Sequence, residues 1–142
     1  MNNKRGDNMN VYVPFFEFDL ETAYFEGNEK RAVYIFIYFE NRIEAPDIKA
    51  ALDVADISEK ALREDIKVYY DYTADQLCIE TQSTKIYKTE YISDSFDNSP
   101  DQKPISETDA FSLLKNAMQK AKQISDKAIN NFSALSYGVM RV

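Results

Sequence analysis

The sequence predicts an α+β protein: an antiparallel sheet of four or five strands with helices mainly on one face, in the order ββα(α)βββα. Three observations carry this. Residues 15–40, FFEFDLETAYFEGNEKRAVYIFIYFE, alternate with period two on both sides of Gly27-Asn28. Residues 46–64 and the segment from 108 onward instead repeat at helical spacing. Between them, two short extended runs flank a polar four-residue break.

In the first segment Gly27-Asn28 suits the tight primed turn of a hairpin. Centring the turn there places Leu20 opposite Ile35, Phe18 opposite Ile37 and Phe16 opposite Phe39, with Thr22 beside Val33. The other face then opposes Glu17 to Tyr38, Asp19 to Phe36 and Glu21 to Tyr34. A slip of one residue would put acids among aliphatics, so the pattern sets the faces. Pro14 has no N–H to donate, which predicts a free edge near the start of the first strand.

Residues 46–64 read as helix, with Pro46 and Asp47 in the first turn and Ile48, Ala51, Leu52 and Ala55 on one side. Ser58 suits an N-cap for a second short helix burying Ala61 and Leu62, with a kink near Asp56. DIKVYYDY and LCIETQ form a second hairpin about Ala74-Asp75, putting Ile66, Val68, Tyr70 and Tyr72 on one face with Leu77 and Ile79. Residues 84–92 are a further strand with Tyr87, Thr89 and Tyr91 on one side. Residues 93–107, holding Pro100 and Pro104, read as a mobile loop. The last element is a helix from 108 to 135, about 42 Å long at 1.5 Å per residue. Ser106 and Asp109 begin it in the manner of a capping box. Phe111, Leu114, Met118, Ala121, Ser125, Ala128, Phe132 and Leu135 form its heptad stripe, widened by Leu113, Ala117, Ile124 and Ile129.

The organisation expected is a disordered tail over residues 1–9, then one α+β domain over 10–142. Lys4–Met9 can be encoded with a purine-rich ribosome-binding site just ahead of Met9. That reading makes Met9 the start in a bacterial or phage gene; the alternative is an ordinary tail.

Composition narrows the chemistry. With 142 residues and 44% apolar content, the chain buries roughly two thirds of its unfolded surface without disulfide or metal. A net charge of −7 disfavours nonspecific binding to nucleic acid or anionic membrane. Its longest strongly apolar run, Ala32–Phe39, is too short to span a bilayer. No signal peptide is visible, so a cytoplasmic location is expected. There is no His, which removes the commonest general base and metal ligand, and Cys78 stands alone. The three glycines are too dispersed for a phosphate loop. The expectation is therefore no cofactor, no metal and no catalysis.

Weaker candidates each have a plain structural counterpart. Asp71 and Glu80 are a carboxylate pair for acid–base work, or solvated cross-strand residues. Asp94, Asp97 and Asp101 are weak calcium ligands, or a polar loop. Residues 46–64 have helix-turn-helix rhythm, but the second helix would offer Glu59 and Glu64 beside Lys60 and Arg63 to phosphate. Imitation of nucleic acid by the spaced acids is a sharper reading with few carboxylates behind it.

The leading candidate is the second face of the first hairpin. Glu17, Asp19 and Glu21 lie in a row beside Tyr34, Phe36 and Tyr38. Such a face supplies aromatic contact area and carboxylates that steer a basic protein partner. The class expected is a small acidic inhibitor, immunity factor or adaptor. The structural alternatives are a second helix layer covering this face inside the monomer, and a homodimer through this face or through the C-terminal helix. A DNA-binding regulator using 46–64, and a small-ligand binder or enzyme with a helix–sheet pocket, are the competing functions.

Overall fold

A computed structural model describes residues 9–26, 29–95, 102–124 and 131–142; for 21–26, 29, 120–124 and 131 it describes the backbone alone. The α+β class with a mostly antiparallel sheet holds. Described elements run β1 (Asn10–Glu26), β2 (Glu29–Phe39), β3 (Ile43–Ala45), α1 (Ile48–Asp65), β4 (Ile66–Asp71), β5 (Gln76–Thr81), β6 (Ile86–Ser95), β7 (Lys103–Ile105), α2 (Glu107–Ile124), β8 (Asn131–Phe132) and β9 (Ala134–Arg141). They make a six-stranded sheet and a three-stranded sheet, β5-β4-β8.

The first hairpin forms in two registers. Near its turn Glu26 pairs with Glu29 and Ala23 with Ala32, as the turn position predicts. Gly27 and Asn28 themselves lie outside the described residues. Leu20, Glu21 and Thr22 then span the space of Val33 alone, and from Asp19 onward the register is displaced by two. Phe18 therefore opposes Ile35, Phe16 opposes Ile37, Glu17 opposes Phe36 and Asp19 opposes Tyr34, correcting the partners expected from a single register. A displacement of two leaves every side chain on its own face, so both faces survive.

Pro14 does not mark a free edge. Phe15 pairs with Tyr38 and also with Gly138, so β2 and β9 occupy opposite edges of β1, which is central. The Val142 N–H donates to the Val11 oxygen at 2.8 Å. That bond sets the antiparallel phase: residues 11, 13, 15 and 17 bond to β9, and residue 14 turns its nitrogen toward β2. There the ladder is interrupted between the Phe15–Tyr38 and Tyr12–Ile43 pairs, where the missing N–H of Pro14 falls.

The inner, aliphatic face carries the main core. Phe16, Phe18, Leu20, Val33, Ile35, Ile37 and Phe39 are all at most 2% exposed. They pack against Ala110, Leu114 and Met118 of α2, and against Val68, Tyr70 and Leu77 of the small sheet. A second cluster sets Ala51 and Ala55 of α1 against Tyr12, Ile43 and Val139 on the same side of the sheet. Both helices thus cover one face, as alternation predicts.

Helix α1 is one continuous helix, not two. Asp47 caps it by accepting the Ala50 N–H at 2.9 Å, and Ser58 is interior. In the second hairpin Tyr70 opposes Leu77 and Val68 opposes Ile79, with residues 72–75 forming the turn. Residues 84–92 do contribute a strand, which extends to Ser95 as β6. Residues 93–107 are not one loop, since 93–95 and 103–105 are paired strand. Asp97 and Asp101 lie outside the described residues.

The largest departure is at the C-terminus. Ser106 does cap α2, accepting the Asp109 N–H at 3.0 Å. The helix is described only to Ile124, however, and Phe132 and Leu135 lie in strands. Ser125, Ala128 and Ile129 fall outside the described residues. β1 has a second edge of backbone donors and acceptors within the sheet, and β9 satisfies them. That demand outweighs a heptad spacing which Phe132 and Leu135 fit only by count.

Candidate protein-binding face

The outer face of the large sheet is built in rows that cross the strands. Glu17 on β1 lies between Ser136 on β9 and Phe36 on β2, and Phe36 is followed by Glu90 on β6. One row away, Phe15 lies between Gly138 and Tyr38, and Tyr38 adjoins Lys88. On the other side, Asp19, Tyr34 and Ile92 form a third row. The three rings of β2 are therefore flanked by Glu17 and Asp19 on β1 and by Glu90 on β6. Glu17, Asp19, Tyr34 and Phe36 are brought together as the sequence predicts; the side chain of Glu21 lies outside the described residues.

Neither core contains these residues. Phe15, Glu17, Asp19, Tyr34 and Phe36 are all partly exposed, whereas their chain neighbours Phe16, Phe18 and Ile35 are sealed. The ring of Phe15 lies 5.9 Å from Phe36 and 5.3 Å from Tyr38, forming an aromatic cluster across β1 and β2. Phe15 also lies over Gly138, where a Cβ would meet the ring at 3.0 Å. A larger residue at 138 would displace the ring, so glycine lets it settle on the neighbouring strand.

Tyr38 departs from expectation. It is only 7% exposed, covered by Phe15 and by the Lys88 ammonium 5.1 Å above its ring. Burial, then a hydrogen bond to Glu90, push its hydroxyl well above the usual range. Tyr38 is thus a support beneath the face, and Phe15 is the more open of the two rings. Tyr34 remains accessible; burial, then Asp19, Asp94 and Glu17, raise its pKa. It is a neutral hydroxyl ringed by negative charge. The Ser136 hydroxyl donates to Glu17 at 3.0 Å, and Gln102 reaches Asp94 at 3.4 Å. Among the described residues of these rows, Lys88 is the only cation, and it lies 3.8 Å from Glu90.

Phe15, Lys88, Glu90 and Ile92 were not singled out by sequence, and Asp94 was singled out only as a weak calcium ligand, not as part of this face. Alternation along β6 could have found four of them, because Tyr87, Thr89 and Tyr91 were already assigned to the opposite side. Nothing local in the sequence could have placed Ser136 and Gly138 here.

The other candidates resolve into structure. Asp71 accepts the Thr73 and Ala74 N–H groups and builds the turn. Glu80 accepts the Tyr69 hydroxyl at 3.0 Å. Arg63 pairs with Glu59 at 2.6 Å and lies 4.9 Å over Phe16, so it serves packing on the inner side. With α1 unbroken, the helix-turn-helix reading loses its turn. A groove of about 330 Å³ between α1 and residues 82–84 includes Asp65 in its lining. That carboxylate accepts N–H bonds from Gln82, Ser83 and Thr84, which lower its pKa. It is engaged in holding the loop. Among the described residues no group of three or more Cys, Asp or Glu is placed to hold a metal ion. Nor is any described helix long and apolar enough to cross a membrane.

No protein-family model, no curated protein and no solved structure matches this chain.

Proposed function

We propose that this chain is a non-catalytic binding protein, of the inhibitor, immunity-factor or adaptor kind, that covers a basic surface of a protein partner with its outer sheet face. One observation carries the reading: Tyr34, Phe36 and Phe15 stay partly exposed among Glu17, Asp19, Glu90 and Asp94, outside both cores. A few hot-spot residues, Tyr and Trp prominent among them, carry most of the energy in protein interfaces, and surrounding carboxylates accelerate and orient encounter with a cationic partner. The sheet beneath is held rigid by the inner core, so the face is organised before contact and little ordering entropy is lost on binding.

The test compares wild type with a Tyr34→Ser, Phe36→Ser double variant as bait in parallel purifications from the native host. A partner held by wild type should be lost by the variant, and its capture should weaken as salt rises. Equal capture by both, or capture indifferent to salt, removes this face as the binding site.

A further inference from the structure

The two edges of the large sheet differ in a way that the outer face does not explain. On one side the sheet ends in β7, three residues long, carrying Lys103 and Pro104. A short strand with a Lys and a Pro is how proteins prevent edge-to-edge association. On the other side it ends in β9, eight residues, ALSYGVMR, with no Pro, no Lys and no acid. Among the described residues no strand pairs with its outer edge.

The Val142–Val11 bond fixes which groups face away from β1. Residues 136, 138 and 140 bond to β1, so the N–H and C=O groups of Tyr137, Val139 and Arg141 point outward. These are alternate residues spaced evenly about Val139. A two-fold axis through Val139 would pair Val139 with its own copy, and Tyr137 with Arg141 of the second copy on both sides. Each such pair exchanges two main-chain hydrogen bonds.

Charge supports the same register. Tyr137 donates its hydroxyl to the Ala55 oxygen of α1 at 2.7 Å. Glu59 and Asp56 lie close enough to add to burial in pushing the pKa of that hydroxyl up to about 12. Arg141, exposed at the end of β9, is on the same inner face. In the two-fold register it would come beside Tyr137 of the other copy and face the carboxylates of Asp56 and Glu59. On the outer face the same register sets Met140 against Gly138, next to the Phe15 ring that lies over it.

We infer that β9 is an interface with a second copy of this chain, joined antiparallel about Val139 into one continuous sheet, with Arg141 of each copy set against Asp56 and Glu59 of the other. This does not rest on the proposed partner face, which would be left open on both copies.

The test is sedimentation of the full chain over a range of concentrations. Arg141→Pro removes an outward N–H without touching the bonds to β1, and Arg141→Glu turns attraction to α1 into repulsion. Wild type should show a monomer–dimer equilibrium. Each variant should weaken it by about tenfold or more, the scale of lost paired main-chain bonds and ion contacts. Circular dichroism should stay unchanged, as should melting at concentrations too low for wild type to associate, and Asp56→Lys should restore association to Arg141→Glu. Wild type that remains monomeric to its solubility limit overturns the inference. So does a dimer indifferent to both Arg141 variants, which would place the contact elsewhere. Neither result bears on partner capture by Tyr34 and Phe36.

Discussion

The inner and outer faces of the large sheet are made by alternate residues of the same strands, yet they do different work. Phe16 and Phe18 point inward and are at most 2% exposed; Phe15, Glu17 and Asp19, interleaved with them, remain partly open. On the inner side, rings and aliphatics meet two helices and a second sheet. On the outer side, rings meet one another and carboxylates. Aromatic content alone therefore says little about burial. What matters is which face each residue occupies, and whether another element must cover it.

The widest separation between the faces should appear in stability. Phe16→Ala should cost about 3–5 kcal/mol, the usual loss for an aromatic truncated in a packed core. Phe36→Ser on the outer side should cost about 1 kcal/mol or less by urea denaturation. Equal losses would mean that the outer face is structural after all.

The reverse ranking is expected for association. Loss of Tyr34 and Phe36 together should weaken partner binding by about 2 kcal/mol or more, the scale of an interface hot spot. Titration of the purified partner against wild type and variant reads this directly. A smaller effect belongs to the caps that hold the inner cover in place. Asp47→Ala and Ser106→Ala should each cost about 1 kcal/mol in melting experiments and leave binding unchanged.

The last prediction is read as a pH dependence. Asp75, at φ 59° in the β4–β5 turn, accepts from Tyr70, from Gln119 at 3.0 Å and from Lys115 at 2.8 Å. It thereby ties the small sheet to α2. Lys115 first, then Tyr70 and Gln119, lower its pKa to about 2. A carboxyl depressed in the folded state adds stability above its unfolded value, near 4, and loses it as pH falls toward 2. Stability measured from pH 5 down to pH 2 should therefore fall less steeply in Asp75→Asn than in wild type. Identical slopes would show that this clamp carries no proton linkage.

Much of the candidate face was legible because alternation is local. Glu17, Asp19, Tyr34 and Phe36 fall on the face the sequence predicts even though the register moved by two, because such a move leaves side-chain direction unchanged. Tyr38 was misjudged because its cover comes from Lys88 and Phe15, whose reach depends on strand pairing. Ser106 was legible as a cap because capping acts within one turn, whereas Asp47, expected inside the first turn, is itself the cap and the helix begins at Ile48. The break expected near Asp56 was not there: Ser58 suits a cap, but Ala51, Ala55 and Leu62 share one buried stripe that an unbroken helix serves better.

By itself the sequence determined which residues share a face, where the helices begin, and that a hydrocarbon side had to be covered. Those properties depend on spacings of two to four residues, set by backbone geometry. Only the tertiary structure decided that Phe132 and Leu135 leave the helical pattern and that residues 134–141 fill the second edge of β1 and complete the outer face. Segments more than a hundred residues apart meet there, and the choice follows from unsatisfied hydrogen bonds on a strand that no local pattern can count.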